Sequence, residues 1–388
     1  MKSVASSARR GFTLVELLMV ITIIGMLMAL LVAGAMKAVN TAKIARITVE
    51  VGMLDTAVQN YKNEIGGAYP PDCTFLGTTA GPAPTPDWIG ARNNRIVAHL
   101  RKAFPRFYVG GYGTGSTQGT LQYAMQQAFA VSSQAYGTNP PNGVSTWGDL
   151  NNLDAAEALV FWLGGPPGPP VLNTTTNTWS YRVIGFASNK VGNPGGTITT
   201  ANQAQTLGPF SLDAKSRIKG PFEFQDQRLG DADGDGWPEY YPAVDSVPQP
   251  TGSTAATPGN ATAPYVYFDG GSYSAVVPSA TSFTSYPSTG QYPPVSGGGA
   301  MPAQPANNYQ GLWGAATPYA NAYNAATYQM TWMNTDKFQI ISAGLDSQYY
   351  FGSTPDAFRV FPSGANYSQA DMDNVANFSN GKLQDSIP

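Results

Sequence analysis

The residues best suited to chemistry are acidic side chains that alternate along one short segment. Asp231, Asp233, Asp235 and Glu239 surround a glycine turn in the stretch Asp-Ala-Asp-Gly-Asp-Gly-Trp-Pro-Glu. Alternate carboxylates around such a turn can converge on one hard cation, and Ca²⁺ accepts six to eight oxygen ligands. The segment is not an EF-hand loop, because its twelfth position is Pro242, which has no carboxylate. It therefore predicts a calcium site or, alternatively, a solvated acidic turn.

No other set of side chains predicts catalysis. His99 is the only histidine and Cys73 the only cysteine, so neither a histidine–cysteine metal site nor an internal disulfide is expected. The serines and aspartates form no nucleophile elbow and no paired-acid motif. We interpret His99 as a polar residue on a helix face, and we expect no enzymatic activity.

An apolar stretch near the N-terminus determines where the chain resides. Residues 17–36 contain no charge, and they follow Glu16 and the basic residues Lys2, Arg9 and Arg10. Twenty helical residues at about 1.5 Å each span a bilayer core of about 30 Å. The stretch is too long for the apolar region of a secretory signal peptide, whereas an ordinary membrane anchor would explain its length. Neither explains the glycine and glutamate placed close to the start of this stretch.

The segment Gly11-Phe12-Thr13-Leu14-Val15-Glu16-Leu17-Leu18 resembles the processing site of type IV pilins and type II secretion pseudopilins. The resemblance implies that a prepilin peptidase cuts between Gly11 and Phe12 and that the new N-terminus is methylated. It also implies that Glu16 meets the amine of Phe12 on a neighbouring copy. A buried pair of this kind sets register more than it adds stability.

The helical pattern continues beyond the apolar stretch and predicts one long helix over residues 12–66. Its second half is amphipathic, with charged residues on the other faces and Gly66-Gly67 as its end. The predicted apolar face consists of Ile47, Val51, Leu54, Val58, Tyr61 and Ile65. The charged residues expected away from it are Lys43, Arg46, Glu50, Asp55, Lys62 and Glu64.

The predicted fold class is α+β and rich in loops. We expect a leader over residues 1–11, the long helix with its transmembrane half at about 12–36, and an extracytoplasmic head over 67–388. The head has room for two lobes, 67–220 and 221–388. The apolar half of the helix protrudes, and the amphipathic half packs on an antiparallel β-sheet, as the resemblance implies.

Several elements of the head can be predicted. Helices are expected at 92–104 and 152–163, and strands at 179–187, 265–268 and 338–342. The first of these helices carries the basic residues Arg92, Arg95, Arg101 and Lys102. They could contact nucleic-acid phosphates. A solvated helix face is the simpler explanation, so nucleic acid is not expected as a partner.

Residues 338–347 resemble the terminal strand and turn of the type II secretion pseudopilins, which use a calcium-stabilised C-terminal loop. This resemblance makes Asp346 a further candidate calcium ligand. An aspartate that stabilises its own turn is the alternative.

The sequence is interpreted as a structural subunit of a type II secretion-like pseudopilus, with an adhesive or DNA-binding type IV pilin as the alternative. The expected partners are further copies of the chain, the peptidase, an inner-membrane secretion or pilus assembly platform, and lipid before assembly. The subunit would sit in the inner membrane as a single-pass protein, with its head outside the cytoplasm. After assembly it would form a periplasmic or extracellular filament.

Overall fold

The computed structural model describes residues 13–72, 98–99, 102–104, 153–168, 170–175, 178–187, 217–231, 237–244, 262–273, 316–324, 329–349 and 359–388. Three α-helices lie wholly in these ranges, namely α1 (Leu14–Tyr61), α2 (Ala155–Gly164) and the short α3 (Gly270–Tyr273). Residues 98–99 and 102–103, the α-helical residues described within the predicted helix 92–104, agree with that prediction. Two 3₁₀ turns span Asp226–Arg228 and Leu383–Ser386. The combination of a long helix with small antiparallel sheets confirms the α+β class.

Helix α1 is continuous over 48 residues and is followed by a π-helical turn, Lys62–Gly66. Gly67 then adopts the left-handed conformation at φ 57°, which glycine reaches without a steric penalty. The predicted end of the helix at the two glycines is therefore confirmed. Among the described residues, α1 is the one helix that is long and apolar enough to cross a membrane.

The two halves of α1 have opposite environments. Every side chain from Thr13 to Ala42 is exposed, including those of the predicted transmembrane half. In the second half one face is buried in the head, and Ile65 packs against the same core. The buried residues of this half are Ile44, Ile47, Val51, Leu54, Ala57, Val58 and Tyr61. The predicted amphipathic face is thus confirmed.

Helix α2 is the central helix of the head. Asp154 caps its N-terminus and forms a capping box with Glu157, whose side chain accepts the backbone N–H of Asp154 at 2.7 Å. All ten residues of α2 are buried, and they pack against α1 and the sheets. The indole of Trp162 donates to the carbonyl of Pro71 at 2.8 Å, which ties α2 to the segment that follows α1.

The strands form one three-stranded sheet and four two-stranded ladders, all antiparallel in the described residues. The strands are β1 (Val171–Asn173), β2 (Thr178–Ser180), β3 (Phe186–Ala187), β4 (Arg217–Ile218), β5 (Leu229–Gly230), β6 (Glu239–Tyr240), β7 (Val266–Asp269), β8 (Ala320–Asn324), β9 (Gln329–Trp332), β10 (Phe338–Ser342) and β11 (Val375–Ala376). The three-stranded sheet has the order β11-β10-β7, and the pairs are β1–β2, β3–β4, β5–β6 and β8–β9.

The sheet β11-β10-β7 is the surface on which α1 lies. Phe338 and Ile340 of β10 and Tyr267 of β7 share the core with the buried face of α1. The hydroxyl of Tyr267 donates to the carbonyl of Pro70 at 2.7 Å, and the backbone N–H of Asp269 donates to Asp72 at 2.9 Å. The chain that leaves the helix is therefore fastened to the sheet as soon as the helix ends.

The predicted strands are reproduced to different degrees. Strand 338–342 is confirmed without change, and the strand predicted at 265–268 is observed one residue later, as β7. The strand predicted at 179–187 is wrong as a single element, because β2 and β3 occupy its two ends. Gly185 lies between them at φ 74°, which interrupts an extended strand.

Two carboxylates of α1 that were expected on outer faces connect the helix to the head. Glu50 pairs with Arg228 through both guanidinium nitrogens, one of them at 2.7 Å, and accepts the hydroxyl of Tyr265 at 2.6 Å. Arg228 also stacks over the ring of Tyr240, with its guanidinium carbon 4.3 Å from the ring centre. This Glu50–Arg228 pair, with side chains 13% and 6% exposed, is a largely desolvated anchor.

The second carboxylate contacts the end of the chain. Asp55 accepts the side-chain amide of Asn377 at 2.8 Å. Asn377 follows β11 and also receives the backbone N–H of Ile340 from β10 at 3.1 Å. Asp55 therefore links α1 to the two strands beneath it, and the prediction that it faces away from the head is corrected.

Arg228→Ala should destabilise the chain by about 3–5 kcal/mol, because removal of one partner leaves Glu50 as an uncompensated buried charge. Chemical denaturation in mild detergent measures the loss. Lys219→Ala is the control, since its pair with Glu223 has both side chains 81% exposed and should contribute about 0–1 kcal/mol. Equal effects of the two substitutions would contradict the anchoring role of Arg228.

Candidate functional site

The N-terminus of α1 is closed by a reciprocal capping box. Thr13 has the extended conformation of an N-cap residue, at φ −80° and ψ 150°. Its hydroxyl accepts the backbone N–H of Glu16 at 3.2 Å, and one carboxylate oxygen of Glu16 accepts the backbone N–H of Thr13 at 2.9 Å. The Thr13 hydroxyl donates to the same oxygen at 2.8 Å. Threonine followed three residues later by glutamate, just before an apolar run, forms this motif.

The capping box gives Glu16 local partners at the edge of the apolar stretch. The carboxylate lies at the positive end of the helix dipole, where negative charge is stabilised. Only its Oε2 atom is used in these bonds, so within the described residues Oε1 remains available as an acceptor. Sequence reasoning selected Glu16 but did not assign Thr13, although the threonine–glutamate spacing contained that signal. Gly11 and Phe12 lie outside the described residues.

Residues 6–32 match the family described as the prokaryotic N-terminal methylation motif. This motif is characteristic of type IV pilins and pseudopilins. The N-terminus of the chain is therefore similar to the N-termini of type IV pilins and pseudopilins. The matched range contains Gly11, Phe12, Thr13 and Glu16, and it supports processing by a prepilin peptidase and membrane anchoring through α1. No curated protein and no solved structure matches the chain significantly.

The predicted calcium loop is the connection between the two strands of a short hairpin. Strands β5 and β6 pair with Gly230 opposite Glu239, so Asp231 and Glu239 lie at the same end of the ladder. Both side chains are buried, and Glu239 accepts the hydroxyl of Tyr241 at 3.2 Å. Asp233 and Asp235 lie outside the described residues. Calcium binding by this loop stays a prediction.

Asp346 lies in a different turn, which follows β10. The carboxylate of Asp373 accepts the backbone N–H groups of Leu345 and Asp346 at 2.7 and 3.2 Å, so the turn wraps around it. Gly344, at φ 67°, is required there because a Cβ atom would lie 2.2 Å from the carbonyl oxygen of Asp373. Among the described residues no three potential ligand side chains converge on one point. Asp231, Glu239 and Asp346 therefore do not form one site by themselves.

The turn has an electrostatic cost. Partial burial and, to a lesser extent, the neighbouring carboxylates of Asp373 and Asp371 together raise the pKa of Asp346 to about 7, although the backbone N–H of Gln348 opposes the shift. Burial also raises the pKa of Asp373, although Lys382 and two backbone N–H groups oppose that shift. Two acidic groups that share a partly buried site disfavour simultaneous ionisation.

The only histidine is a core residue of the described structure. His99 is buried, and its Nε2 atom lies 2.9 Å from the hydroxyl of Tyr61 on α1. Its ring stacks on Tyr61 and meets the edge of Trp162, with centroids 5.6 and 4.9 Å apart. His99 was predicted to be a polar residue on a helix face, and the structure shows that this face is buried in the core. Of the predicted basic residues only Lys102 is described, and it donates to the carbonyl of Gly67 at 3.1 Å.

In chelator-containing buffer, stability should fall as the pH rises from about 4 to about 7. The folded chain keeps Asp346 protonated up to about pH 7, whereas the unfolded carboxyl group titrates near 3.8. The folded state therefore binds more protons in this window, and linkage lowers its stability with rising pH. The melting temperature of Asp346→Asn should fall less steeply with rising pH than that of the wild type. At pH 8 the melting temperature of this variant should be the higher of the two. The control is Asp336→Asn, a substitution at an exposed position. Its melting temperature should vary with pH as that of the wild type does.

Proposed function

We propose that the chain is a structural, non-enzymatic subunit of a type II secretion-like pseudopilus. In this proposal the chain is cut between Gly11 and Phe12 in the inner membrane and assembles through α1. The observation that carries the proposal is the fully exposed apolar half of α1, most of which lies within the methylation motif at residues 6–32. In the isolated chain the head does not cover this half of α1.

The physical argument concerns where that apolar half can reside. Its side chains, from Leu14 to Met36, make no packing contact with the head and are exposed. In water this surface would be strongly unfavourable, so it must lie in lipid or against other apolar helices. Extraction into a helix bundle exchanges one apolar environment for another. Contacts that repeat between copies without closing generate a filament.

The Glu16 carboxylate would have different partners in the membrane and in the proposed filament. In the single chain its carboxylate is satisfied by Thr13, which lowers the cost of holding it at the edge of the membrane. In the proposed filament its free oxygen would accept the amine of Phe12 from a neighbouring copy. An ion pair inside an apolar bundle is a weak source of net stability and a strong selector of register. We therefore assign Glu16 to subunit stagger.

Glu16→Ala should abolish filament formation while leaving membrane insertion intact, because the apolar length is unchanged and the charge partner is lost. Electron microscopy of sheared material and membrane fractionation measure the two properties. Mass spectrometry of the mature N-terminus, expected to begin with methylated Phe12, confirms that processing is intact. Glu64→Ala, which removes an exposed carboxylate in the π-helical turn that follows α1, should assemble normally. Wild-type filament yield from Glu16→Ala would refute the register role.

The same variant distinguishes the pseudopilus from the alternative, an adhesive or DNA-binding pilin. If the proposal holds, the strain with Glu16→Ala loses secretion of its cargo and keeps adhesion and DNA uptake. Loss of adhesion or DNA uptake with secretion intact would favour the alternative. The basic residues that motivated a DNA-binding role lie largely outside the described residues, and Lys102 is engaged with Gly67.

We further propose that the loop between β5 and β6 binds calcium. The support is the register of the hairpin, which places the buried residues Asp231 and Glu239 at the same end of the ladder. Asp233 and Asp235, in the loop itself, would complete a set of hard oxygen ligands suited to Ca²⁺. The ion would offset repulsion between these carboxylates and hold the hairpin closed.

Chelation should lower the melting temperature of the solubilised chain, because a ligand that binds only the folded state stabilises it by mass action. Differential scanning fluorimetry with added Ca²⁺ and with chelator measures the shift. Asp235→Asn should abolish the calcium response, and Asp336→Asn should retain it. If the melting temperature of the wild type is the same with and without calcium, the loop is not a metal site.

A further inference from the structure

Three basic residues lie on α1 where the helix leaves its apolar half. Lys37 is the first charged residue after the uncharged stretch, and Lys43 and Arg46 follow within about three helical turns. Lys37 and Arg46 are exposed, and Lys43 is half-buried. The head begins to cover the helix at Ile44, the first buried residue of α1. We call residues 37–46 the neck, since they connect the apolar half to the part of α1 on which the head packs.

No carboxylate in the same part of the helix balances these cations. Between Glu16 and Glu50 the sequence contains no aspartate and no glutamate. Glu50 is directed to the head, where it pairs with Arg228 and accepts the hydroxyl of Tyr265. Residues 17–49 contain three basic residues and no acidic one, which gives a net charge of +3, and all of this charge lies in the neck.

The neck lies at the level of the phospholipid headgroups when the apolar half spans a bilayer. Twenty uncharged residues at about 1.5 Å each fill the hydrocarbon core of about 30 Å, so Lys37 lies at its edge. Arg46 is nine residues farther, or about 14 Å along the axis. In a helix each Cα–Cβ bond tilts towards the N-terminus, which here is the direction of the membrane. Long basic side chains in the neck therefore lean towards the headgroups and reach them while their apolar stems stay against the helix.

The cations are distributed around the helix. Lys37 and Arg46 are about 180° apart on the helical wheel, and Lys43 is about 60° from Arg46. Cations on several sides of a helix can contact several headgroups in the plane of one leaflet. A site for one small anion would instead need cations that converge on a point. The arrangement therefore fits an anionic membrane surface better than a single free phosphate.

The placement of these cations opposes the usual distribution of charge in membrane proteins. Basic residues are normally enriched beside the cytoplasmic end of a membrane helix and depleted beside its other end. In the proposed orientation, Lys2, Arg9 and Arg10 lie at the cytoplasmic end and are removed with the leader. The first cation of the mature chain is then Lys37, at the opposite end of the apolar half. Cations kept at this end against the usual bias indicate a role there.

We propose that the neck is a docking surface for anionic phospholipid headgroups of the extracytoplasmic leaflet, with Lys37, Lys43 and Arg46 as the residues that contact the phosphates. The proposal rests on the proposed membrane insertion and orientation of α1. Each cation near an anionic surface strengthens the attraction by about fivefold in affinity. The contact fixes how deeply α1 lies in the bilayer, and it holds the head beside the membrane until the chain is extracted into a filament.

The lipid selectivity of the full chain tests the neck. The chain is reconstituted in vesicles of equal parts phosphatidylcholine and phosphatidylglycerol. Electron paramagnetic resonance of spin-labelled lipids then measures how strongly the lipids around the protein prefer phosphatidylglycerol. Lys37→Gln/Arg46→Gln should lower this preference by about fivefold or more, because two of the three cations are lost. Higher ionic strength should lower the wild-type preference in the same direction, since salt screens exposed charges.

The matched control is Lys219→Gln/Lys337→Gln, which removes the same charge from exposed positions on the head. Lys337 lies beyond the far end of α1, because the adjacent Phe338 packs against Tyr69 with ring centroids 5.0 Å apart. All four substituted side chains are exposed, so both variants should melt like the wild type. The leader cations are present in every variant and cancel in the comparison. The control should keep the wild-type preference, and equal preferences in the two variants would overturn the proposal.

Photo-crosslinking identifies what lies against the neck. A benzophenone amino acid at Ala42, an exposed neck position, should crosslink to phospholipid in the membrane-inserted chain. Crosslinks mainly to a second copy or to another protein would overturn the proposal. The same holds if inorganic phosphate abolishes the lipid preference at constant ionic strength, because the neck would then be a site for a free anion.

The outcomes separate this inference from the proposed function. If the wild type shows no preference for phosphatidylglycerol but forms filaments that depend on Glu16, the neck inference fails and the filament function stands. If the chain does not insert into vesicles, both fail. A preference that is lost in Lys37→Gln/Arg46→Gln and kept in the control, with lipid crosslinks from Ala42, supports the inference.

Discussion

The rest of the structure depends on one constraint. A single unbroken helix must be stable in two different environments, an entirely apolar one for its first half and the surface of the head for its second half. From Leu14 to about Met36 the helix has apolar side chains on all sides and needs lipid or other helices around it. From Ile44 to Tyr61 it has one apolar face, and that face is buried in the head. With no proline between residues 12 and 65, the chain makes this change without interrupting its backbone hydrogen bonds.

The head is organised around the buried face of α1. The sheet β11-β10-β7 and helix α2 supply the apolar contact, and Glu50–Arg228 and Asp55–Asn377 supply directed polar contacts at its margins. Apolar burial alone would allow the helix to rotate or slide by a turn. The polar contacts remove that freedom, because each would leave a buried group unsatisfied if the helix moved. Packing thus provides most of the stability, and the polar groups fix one orientation.

The sequence predicted those features that depend on local pattern. The strand Phe338–Ser342, the apolar face of α1 and the terminating glycines follow from periodicity and chain-end signals that a single segment contains. The roles of Glu50, Asp55 and His99 could not be predicted, because their partners are 178, 322 and 38 residues away in sequence. A charged or polar residue on a helix looks the same in sequence whether it faces water or a distant arginine. The Thr13 cap was local and could have been found.

The position of the Glu50–Arg228 pair also has a mechanical consequence. In the proposed filament, a pull along the axis of α1 would be resisted by the seam between α1 and the sheet. Such a force acts on the seam in shear, so the apolar contacts from Ile44 to Tyr61 and the polar contacts beside them must break together and not one at a time. The bidentate geometry of Arg228 adds stiffness near the middle of that seam. In the proposed filament, the seam between α1 and the sheet would therefore resist pulling as one unit.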